Sequence, residues 1–168
     1  NHIIAVDPSH LIRIAVGVAF RRARLKYAYM LLRGKDLKSG VTSTKTREDN
    51  LAKFKDGLAL ATDLNNWHAF LNLFSRGYLK GSIVASTNAV VFSYVLYLIG
   101  RYSYKVPPMK LNQVITKWIF MATVTLFYTG STESEVEKQF ADLRDIEDAE
   151  GFVSYLESVI ETRFTDDY

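Results

Sequence analysis

The stretch KWIFMATVTLFYTGSTESEVEKQ (Lys117–Gln139) changes character in its middle. Its first half is a run of apolar and aromatic residues, and its second half is an acidic pattern typical of an amphipathic helix. Between them, Gly130 can adopt the backbone conformation that closes a helix. Ser131 or Thr132 can accept hydrogen bonds from the free N–H groups that open the next helix, and Glu133 complements its positive end. The stretch therefore predicts two helices joined by a sharp polar corner.

The rest of the chain, followed outward from this corner, also predicts helices. Apolar residues recur at three- and four-residue spacing, and no alternating strand pattern of useful length is present. We expect an all-α fold, an orthogonal or antiparallel bundle of about six to eight helices in a single domain, residues 1–168. The predicted helices are one begun by Asp7-Pro8 and ended by Gly34, one from about Thr46, one capped by Asp63 or Asn65 and ended by Gly77, one from Ser86 or Thr87 to Arg101–Tyr104, one from Lys110 to Tyr128, one begun by a capping box at Thr132–Glu135, and one capped by Asp148.

The same periodicity predicts which side chains form the core. We expect the fourth and fifth predicted helices to form a buried antiparallel pair. The predicted core residues are Leu11, Ile14, Ala15, Val18, Leu25 and Leu32 in the first helix, Leu51, Phe54, Leu58 and Thr62 in the second, and Trp67, Phe70, Leu71 and Phe74 in the third. Those of the central pair are Phe92, Leu96, Leu98, Leu111, Ile115, Trp118, Phe120, Ala122 and Leu126. Those of the last two helices are Val136, Phe140, Leu143, Phe152, Leu156, Val159 and Ile160.

The bulk composition indicates one well-packed globular domain. The chain has 168 residues, 48% of them hydrophobic and 13% aromatic, which is enough to bury a sizeable core. There is no Cys, so disulfides, thiolate metal ligands and cysteine nucleophiles are excluded, and we expect a cytoplasmic location. The sequence opens NHIIAVDPSH, without Met or a signal pattern. We therefore expect a fragment of a larger multidomain protein.

The segment Gly81–Gly100 is uncharged for 20 residues and is long enough to span a bilayer. Its first half contains Ser, Thr and Asn residues that fit a turn and a helix cap. The apolar part, Ala89 to Ile99, covers only about three turns. This pattern favours a buried core helix over a membrane span, so we expect no membrane association.

Charge is distributed unevenly along the chain. Residues 1–84 carry 14 Lys and Arg against 6 Asp and Glu, whereas residues 85–168 carry 7 against 12. A basic surface of this kind has two interpretations: a solvated face that meets an acidic neighbour, or a surface that contacts the phosphates of DNA. The candidate contact residues are Arg21, Arg22, Arg24, Arg33, Lys35 and Lys38. In the first interpretation, the acidic sixth predicted helix would occupy part of this positive charge.

No catalytic constellation is recognisable in the sequence. The three histidines, His2, His10 and His68, have no partner at metal-ligand spacing, and neither a phosphate-binding loop nor a nucleophile elbow is present. Glu133 and Glu137 lie one helical turn apart, as paired carboxylates do, but on a capped surface helix we expect both to be solvated. We therefore expect no catalytic residue, no metal and no cofactor in this chain.

The whole pattern resembles the helical region of GmrSD-like proteins, which are large bacterial proteins. The resemblance runs from YMLLRGKDLKSG through NNWHAFLNLFSRGYLKGSIVASTNAVVFSYVLYLIG to ITKWIFMATVTLFYTGSTESEVEKQFADL and covers nearly all of the chain. Family members more often have Arg-Trp and Tyr-Ser-Gly-Ser where this chain has Lys117-Trp118 and Tyr128-Thr129, so two positions depart from the pattern. The residues that carry it are Arg33, Gly34, Lys35, Asp36, Ser86, Asn88, Tyr94, Trp118, Tyr128, Gly130, Ser131, Glu133 and Ser134.

The resemblance implies a role in type IV restriction and phage defence, in which modified foreign DNA is cut with nucleotide hydrolysis. Such proteins carry an upstream DGQQR domain and often a downstream HNH-type nuclease domain, and neither motif occurs in this sequence. The implied function is a non-catalytic helical coupling or scaffold segment that links those two domains within a nucleotide-dependent endonuclease. The implied partners are the other domains of the same parent chain, with DNA and a second copy as further partners. The alternative is a DNA-contacting module that uses the basic residues of the first third.

Overall fold

The computed structural model describes residues 5–76, 86–130 and 132–164. A π-helical turn, Ile99–Ser103, extends the fifth helix, and a 3₁₀ turn, Phe127–Thr129, follows the sixth. The described ranges contain no β-strand beyond one isolated bridge between Lys35 and Thr42. The all-α prediction is therefore confirmed. The eight α-helices in these ranges are α1 Pro8–Phe20, α2 Leu25–Leu32, α3 Thr44–Thr62, α4 Leu64–Arg76, α5 Thr87–Leu98, α6 Pro108–Val124, α7 Thr132–Arg144 and α8 Ala149–Arg163.

Helix α5 is the centre of the core. Every residue from Ala89 to Leu98 is buried, and the helix contacts α1, α4 and α6. The prediction of a buried helix is thus confirmed here, while the preceding residues 81–85 lie outside the described ranges. Among the described helices, none is both long enough and apolar enough to cross a bilayer.

The sequence predicts one helix from Asp7 to Gly34, and this prediction is wrong. Arg21 has a left-handed φ of 49° and ends α1, and α2 begins only at Leu25. The carboxylate of Glu137 on α7 accepts hydrogen bonds from two backbone N–H groups of the linking segment, at 2.8 and 3.3 Å. In a continuous helix, the N–H groups of Ala23 and Arg24 would donate to backbone carbonyl groups one turn earlier. Here they donate to a side chain that is distant in the sequence. The break therefore has a tertiary cause.

The break also changes which residues of this region are buried. Leu25, a predicted core residue, is 37% exposed, and Leu11 and Leu32 are only half-buried. Ala28 and Leu31 are the buried residues of α2. A seven-residue repeat marks one buried face only within a continuous helix. Because α1 and α2 are separate helices, the repeat positions do not share one face.

Helix α3 begins earlier than the sequence predicts. Its N-cap is Ser43, whose Oγ accepts from the backbone N–H of Thr46 at 3.1 Å, so the capping box predicted to start at Thr46 is wrong. The buried face is also offset, because Leu51 is 42% exposed and Thr62 is exposed. A Cβ at Gly57 would lie 2.7 Å from the carbonyl oxygen of Ala15, so α1 and α3 approach closely there. The buried residues of α3 are Asn50, Gly57 and Ala61.

The predicted aspartate caps are confirmed. Asp7 accepts from the N–H of His10 and Asp148 accepts from the N–H of Gly151, and Asp63 accepts from the N–H of Asn65 at the start of α4. At the Lys117–Gln139 corner, by contrast, Thr132 is the first helical residue of α7 and not its cap. Ser131 and Gly77, also predicted to act at helix ends, lie outside the described residues.

Helix α6 ends four residues before the predicted end at Tyr128. The residue with the left-handed backbone is Leu126, with φ 54°, whereas Gly130 has φ −102°. The proposed closing role of Gly130 is therefore wrong. Leu126 and Phe120 are 47% and 44% exposed, which contradicts their assignment to the core. The predicted core residues that are buried in the central pair are Phe92, Leu96, Leu98 and Trp118.

Candidate partner-binding site around helix α7

Three of the candidate basic residues, Arg21, Arg22 and Arg24, lie in the segment between α1 and α2, which we call the α1–α2 junction and which contacts α7. Arg22 Nη1 donates to Glu137 Oε1 at 2.9 Å, and the two side chains are only 22% and 15% exposed. The other carboxylate oxygen of Glu137 accepts from the N–H groups of Ala23 and Arg24. Glu137 therefore both pairs with a cation and binds the backbone that links α1 to α2. The expectation of a solvated Glu137 is wrong, because its carboxylate is held by three donors.

Further contacts on the same face of α7 extend this junction. Arg24 Nη2 donates to Ser134 Oγ at 2.8 Å, and Arg13 Nη1 donates to Glu133 Oε1 at 2.5 Å. Arg144, near the end of α7, donates to the carbonyl oxygen of Arg21 at 2.8 Å. Burial lowers the pKa of Arg144, and the positive charge of nearby Arg22 adds to this effect. Positive charge from the first third of the chain is thus partly compensated by α7.

The guanidinium of Arg21 is directed elsewhere. It lies over the ring of Tyr104, 5.4 Å from the centroid, and its Nε is buried without a hydrogen-bond partner in the described part of the chain. A cation on an aromatic face is stabilised by the ring quadrupole. Arg21 is therefore a packed residue of this junction, not a member of an open basic stripe.

The opposite face of α7 contacts the last helix. Arg163 Nη1 of α8 donates to Glu135 Oε2 at 2.6 Å, and the Tyr155 hydroxyl donates to Asp142 Oδ2 at 2.9 Å. Burial and this hydrogen bond to a carboxylate raise the pKa of Tyr155. Glu135 and Glu137 are two positions apart, about 200° around a helix. Their carboxylates therefore serve two different neighbours.

The second basic group lies at the other end of α2. Arg33 donates to the Tyr29 hydroxyl at 2.6 Å and lies over its ring, while Lys35 is half-buried and Lys38 is exposed. An eight-residue helix spans about 12 Å. The six candidate contact residues are thus divided into two groups by α2. We refer to Arg33, Lys35 and Lys38 as the α2–α3 corner.

The corner is shaped by the two neighbouring residues of the resemblance pattern. Gly34 has φ 89°, and a Cβ there would lie 2.4 Å from the carbonyl oxygen of Ser43, so only glycine fits without movement. Asp36 accepts from the N–H groups of Lys38 and Ser39, each at 2.8 Å. These bonds, the one from Ser39 first, lower the pKa of Asp36. Both residues therefore set loop conformation.

The aromatic residues of the pattern belong to the core. Trp118 Nε1 donates to the Tyr128 hydroxyl at 3.1 Å, and both rings are buried. The Tyr94 hydroxyl donates to the carbonyl oxygen of Leu60 at 3.4 Å, and its ring lies 3.9 Å from that of Trp67. Burial raises the pKa of both tyrosines. These positions hold the bundle together and offer no group to a ligand.

Of the remaining pattern residues, Ser86 is half-buried and its Oγ donates to the carbonyl oxygen of Tyr128 at 3.4 Å. Asn88 and Gly130 are exposed, and Ser131 lies outside the described residues. Glu133 and Ser134 are the two members of the pattern that contact the basic α1–α2 junction. The structure thus brings part of the sequence pattern into one place, on the first turn of α7.

Two structurally central polar residues are missed by sequence reasoning. Glu137 is indistinguishable by spacing from a solvated acidic residue of an amphipathic helix, since its partners are 113 to 115 residues away. Asn66 is 1% exposed and accepts from Arg101 and Tyr102. Asn66 stands beside another Asn in the first turn of α4, and nothing in this local sequence distinguishes the buried one. Only the tertiary fold reveals these two residues.

Within the described ranges, no three His, Asp or Glu side chains come together as metal ligands do. Compared with models of known families, with curated protein sequences and with solved structures, the chain has no significant match to any of them.

Proposed function

We propose that this chain is a non-catalytic helical coupling segment of a larger protein. The observation that supports this function is the position of α7, which contacts the α1–α2 junction on one face and α8 on the other. In the proposed parent, of the GmrSD-like type, an upstream nucleotide-dependent domain and a downstream HNH-type nuclease would be the coupled partners. The chemistry would belong to those domains, and this segment would set their relative position.

The contacts of Glu137 are suited to such a role because one carboxylate of α7 binds both a side chain and the backbone of the segment between α1 and α2. A shift of the α1–α2 junction by more than about an ångström would lengthen all three of its hydrogen bonds beyond good geometry. Since Arg22 and Glu137 are largely buried, their interaction is screened less than a surface pair. A change at the junction would therefore alter the position or stability of α7, and hence its contacts with Arg163.

We expect Arg22 and Arg163 to be energetically coupled although they bind different carboxylates of α7. In a double-mutant cycle, Arg22→Ala and Arg163→Ala should give a non-additive change in the free energy of unfolding of about 0.5–1 kcal/mol. The measurement is urea denaturation of the wild type, both single variants and the double variant, followed by circular dichroism.

The matched control pairs Arg163→Ala with Lys53→Ala, because Lys53 is an exposed cation of α3. That cycle should be additive within the error of about 0.3–0.5 kcal/mol. Additive behaviour of the Arg22 and Arg163 pair would reject coupling through α7 and with it the proposed function.

DNA contact is the second candidate function, and the α2–α3 corner is the observation that favours it. Its three cations lie away from the acidic face of α7, with Arg33 held by Tyr29 and Lys38 exposed. Three cations can neutralise about three phosphates, which gives weak, non-specific and salt-dependent binding. The arginines of the α1–α2 junction contribute less, because α7 already binds two of them.

For the isolated chain we expect duplex DNA binding no tighter than roughly 100 μM at physiological salt. Titration of labelled duplex at two salt concentrations, with the wild type and an Arg33/Lys35/Lys38 to Ala triple variant, tests this expectation. The control is Lys53/Lys55 to Ala, which removes two cations from α3. Micromolar binding that rises steeply at low salt and is lost only in the corner variant would establish the DNA-contact function instead.

A further inference from the structure

A cleft of about 340 Å³ opens between α4, the π-helical turn and the start of α6. Its walls are partly apolar, formed by Leu73, Val106 and Leu111 among others. Its polar side chains are Asn72, Asn112, Arg101 and Tyr97. Small-molecule sites in proteins commonly combine apolar walls with a few placed polar groups. The cleft has this composition and lies away from the α7 contacts.

Arg101 is held in place at this cleft by neighbouring groups. Its Nη1 donates to Asn66 Oδ1 and to the Tyr97 hydroxyl oxygen, both at 3.2 Å. Asn66 is fixed in turn, because it accepts from the Tyr102 hydroxyl at 2.7 Å and donates to the carbonyl oxygen of Leu60 at 3.2 Å. Both hydrogen bonds to described residues use one nitrogen of the guanidinium. The side chain is exposed and its guanidinium also lies over the Tyr102 ring, 5.2 Å from the centroid, so the remaining N–H groups are accessible to a ligand as a fork.

The backbone that carries Arg101 is unusual. Ile99–Ser103 is a π-helical turn, closed by the five-residue hydrogen bond from the N–H of Tyr104 to the carbonyl oxygen of Ile99 at 3.1 Å. Such turns inside α-helices occur frequently at functional sites. A Cβ at Gly100 would lie 2.5 Å from Leu111 Cδ1, so the turn is pressed against the wall of the cleft. This close packing fixes the position of the arginine relative to α6.

The electrostatics of the cleft favour a single negative charge. Arg101 is the one charged residue among the described side chains that line it, and Pro108 places the positive end of the α6 dipole at the same cleft. A phosphate dianion is usually bound by several cations, whereas one arginine fork matches one carboxylate. We propose that this cleft binds a carboxylate carried on a small apolar or aromatic body. The arginine binds the carboxylate, the amides of Asn72 and Asn112 bind its polar substituents, and the apolar walls cover the body.

Benzoate is a suitable probe, with benzamide as its uncharged counterpart of the same shape. We expect benzoate to bind the intact chain with a dissociation constant of roughly 1 mM, given its few atoms. Benzamide should bind at least about tenfold more weakly, because it cannot form the charged pair with Arg101. Two-dimensional ¹H–¹⁵N NMR titration provides both constants and the affected residues, which should include amides of Ile99–Ser103 and of the first turn of α6.

Two variants locate the binding. Arg101→Gln should weaken benzoate at least about tenfold and leave benzamide unchanged. Asn112→Asp places a like charge in the cleft without touching the hydrogen bonds of Arg101, and should also weaken benzoate selectively. This second variant keeps the proposal testable if Arg101→Gln lowers stability. Lys110→Gln, at a neighbouring groove between α6 and α8, is the control that should bind benzoate as the wild type does.

Three outcomes would overturn the proposal. They are the absence of benzoate binding up to about twentyfold the expected constant, equal affinity for benzoate and benzamide, and undiminished benzoate binding in Asn112→Asp.

Discussion

Replacement of Trp118 by Ala should lower the free energy of unfolding by about 3–5 kcal/mol, the range typical of a fully buried Trp. The Trp118 side chain is fully buried in α6, and its ring packs edge-on against Phe164 with centroids 4.9 Å apart. The substitution also removes the donor to the Tyr128 hydroxyl, which is itself buried. Since domains of this size are stable by only about 5–15 kcal/mol, the variant should lose a large part of its stability. Urea denaturation followed by circular dichroism measures the change.

Phe120 provides the matched control for this prediction. It lies on the same helix two positions later, but it is 44% exposed. Phe120→Ala should therefore change the free energy of unfolding by no more than about 0.5–1 kcal/mol. Similar losses in the two variants would mean that α6 is rotated relative to its described position.

Helix starts are the features that the sequence predicts best. Asp7, Asp63 and Asp148 accept hydrogen bonds from N–H groups two or three residues away, so cap and helix are encoded within one turn of chain. Core faces are predicted where one helix is buried over its whole length, as in α5, whose apolar run extends all round. These features depend on local sequence alone.

One failure has a different physical origin, a contact that is distant in the chain. α1 and α2 separate where Glu137 binds their junction. Leu126, not Gly130, takes the left-handed conformation, although local propensity favours glycine there by about 1 kcal/mol or more. Local propensity alone therefore does not identify the residue that takes this conformation.

The candidate site was predictable in composition but not in arrangement. The charge imbalance between the two halves of the chain indicates that basic and acidic elements meet. It does not indicate that Glu137 receives Arg22 while Arg33 remains at the far end of α2. The pairing of Glu137 follows from the rotation of α7, which directs Glu133 and Glu137 to one side and Glu135 to the other.

Glu137→Gln should show how much stability depends on this carboxylate, and we expect a loss of about 2–3 kcal/mol. Gln has the same shape and retains one acceptor oxygen, but it lacks the negative charge that faces Arg22 and two N–H groups. Hydrogen bonds to charged groups contribute about 1.5–3 kcal/mol each. Partial exposure of the pair, 22% and 15%, keeps the total below that of a fully buried pair. Denaturation by urea at about 0.1 M and 1 M NaCl gives the loss, which should persist at high salt because the pair is poorly screened.

Glu133→Gln is the matched control, because Glu133 also binds an arginine from the first third of the chain but is 46% exposed. Exposed ion pairs contribute about 0–1 kcal/mol and are weakened by salt, so this variant should lose little stability and still less at 1 M NaCl. Equal losses in the two variants would show that burial of Glu137 has no special effect.

The Glu137→Gln variant also tests how Arg22 is coupled to Arg163. If the Glu137 carboxylate transmits the coupling, the double-mutant cycle should become additive when repeated in the Glu137→Gln background. If the coupling persists in the Glu137→Gln background, it passes through the packed core around α5. In that case α7 contacts both Arg22 and Arg163 but does not couple them.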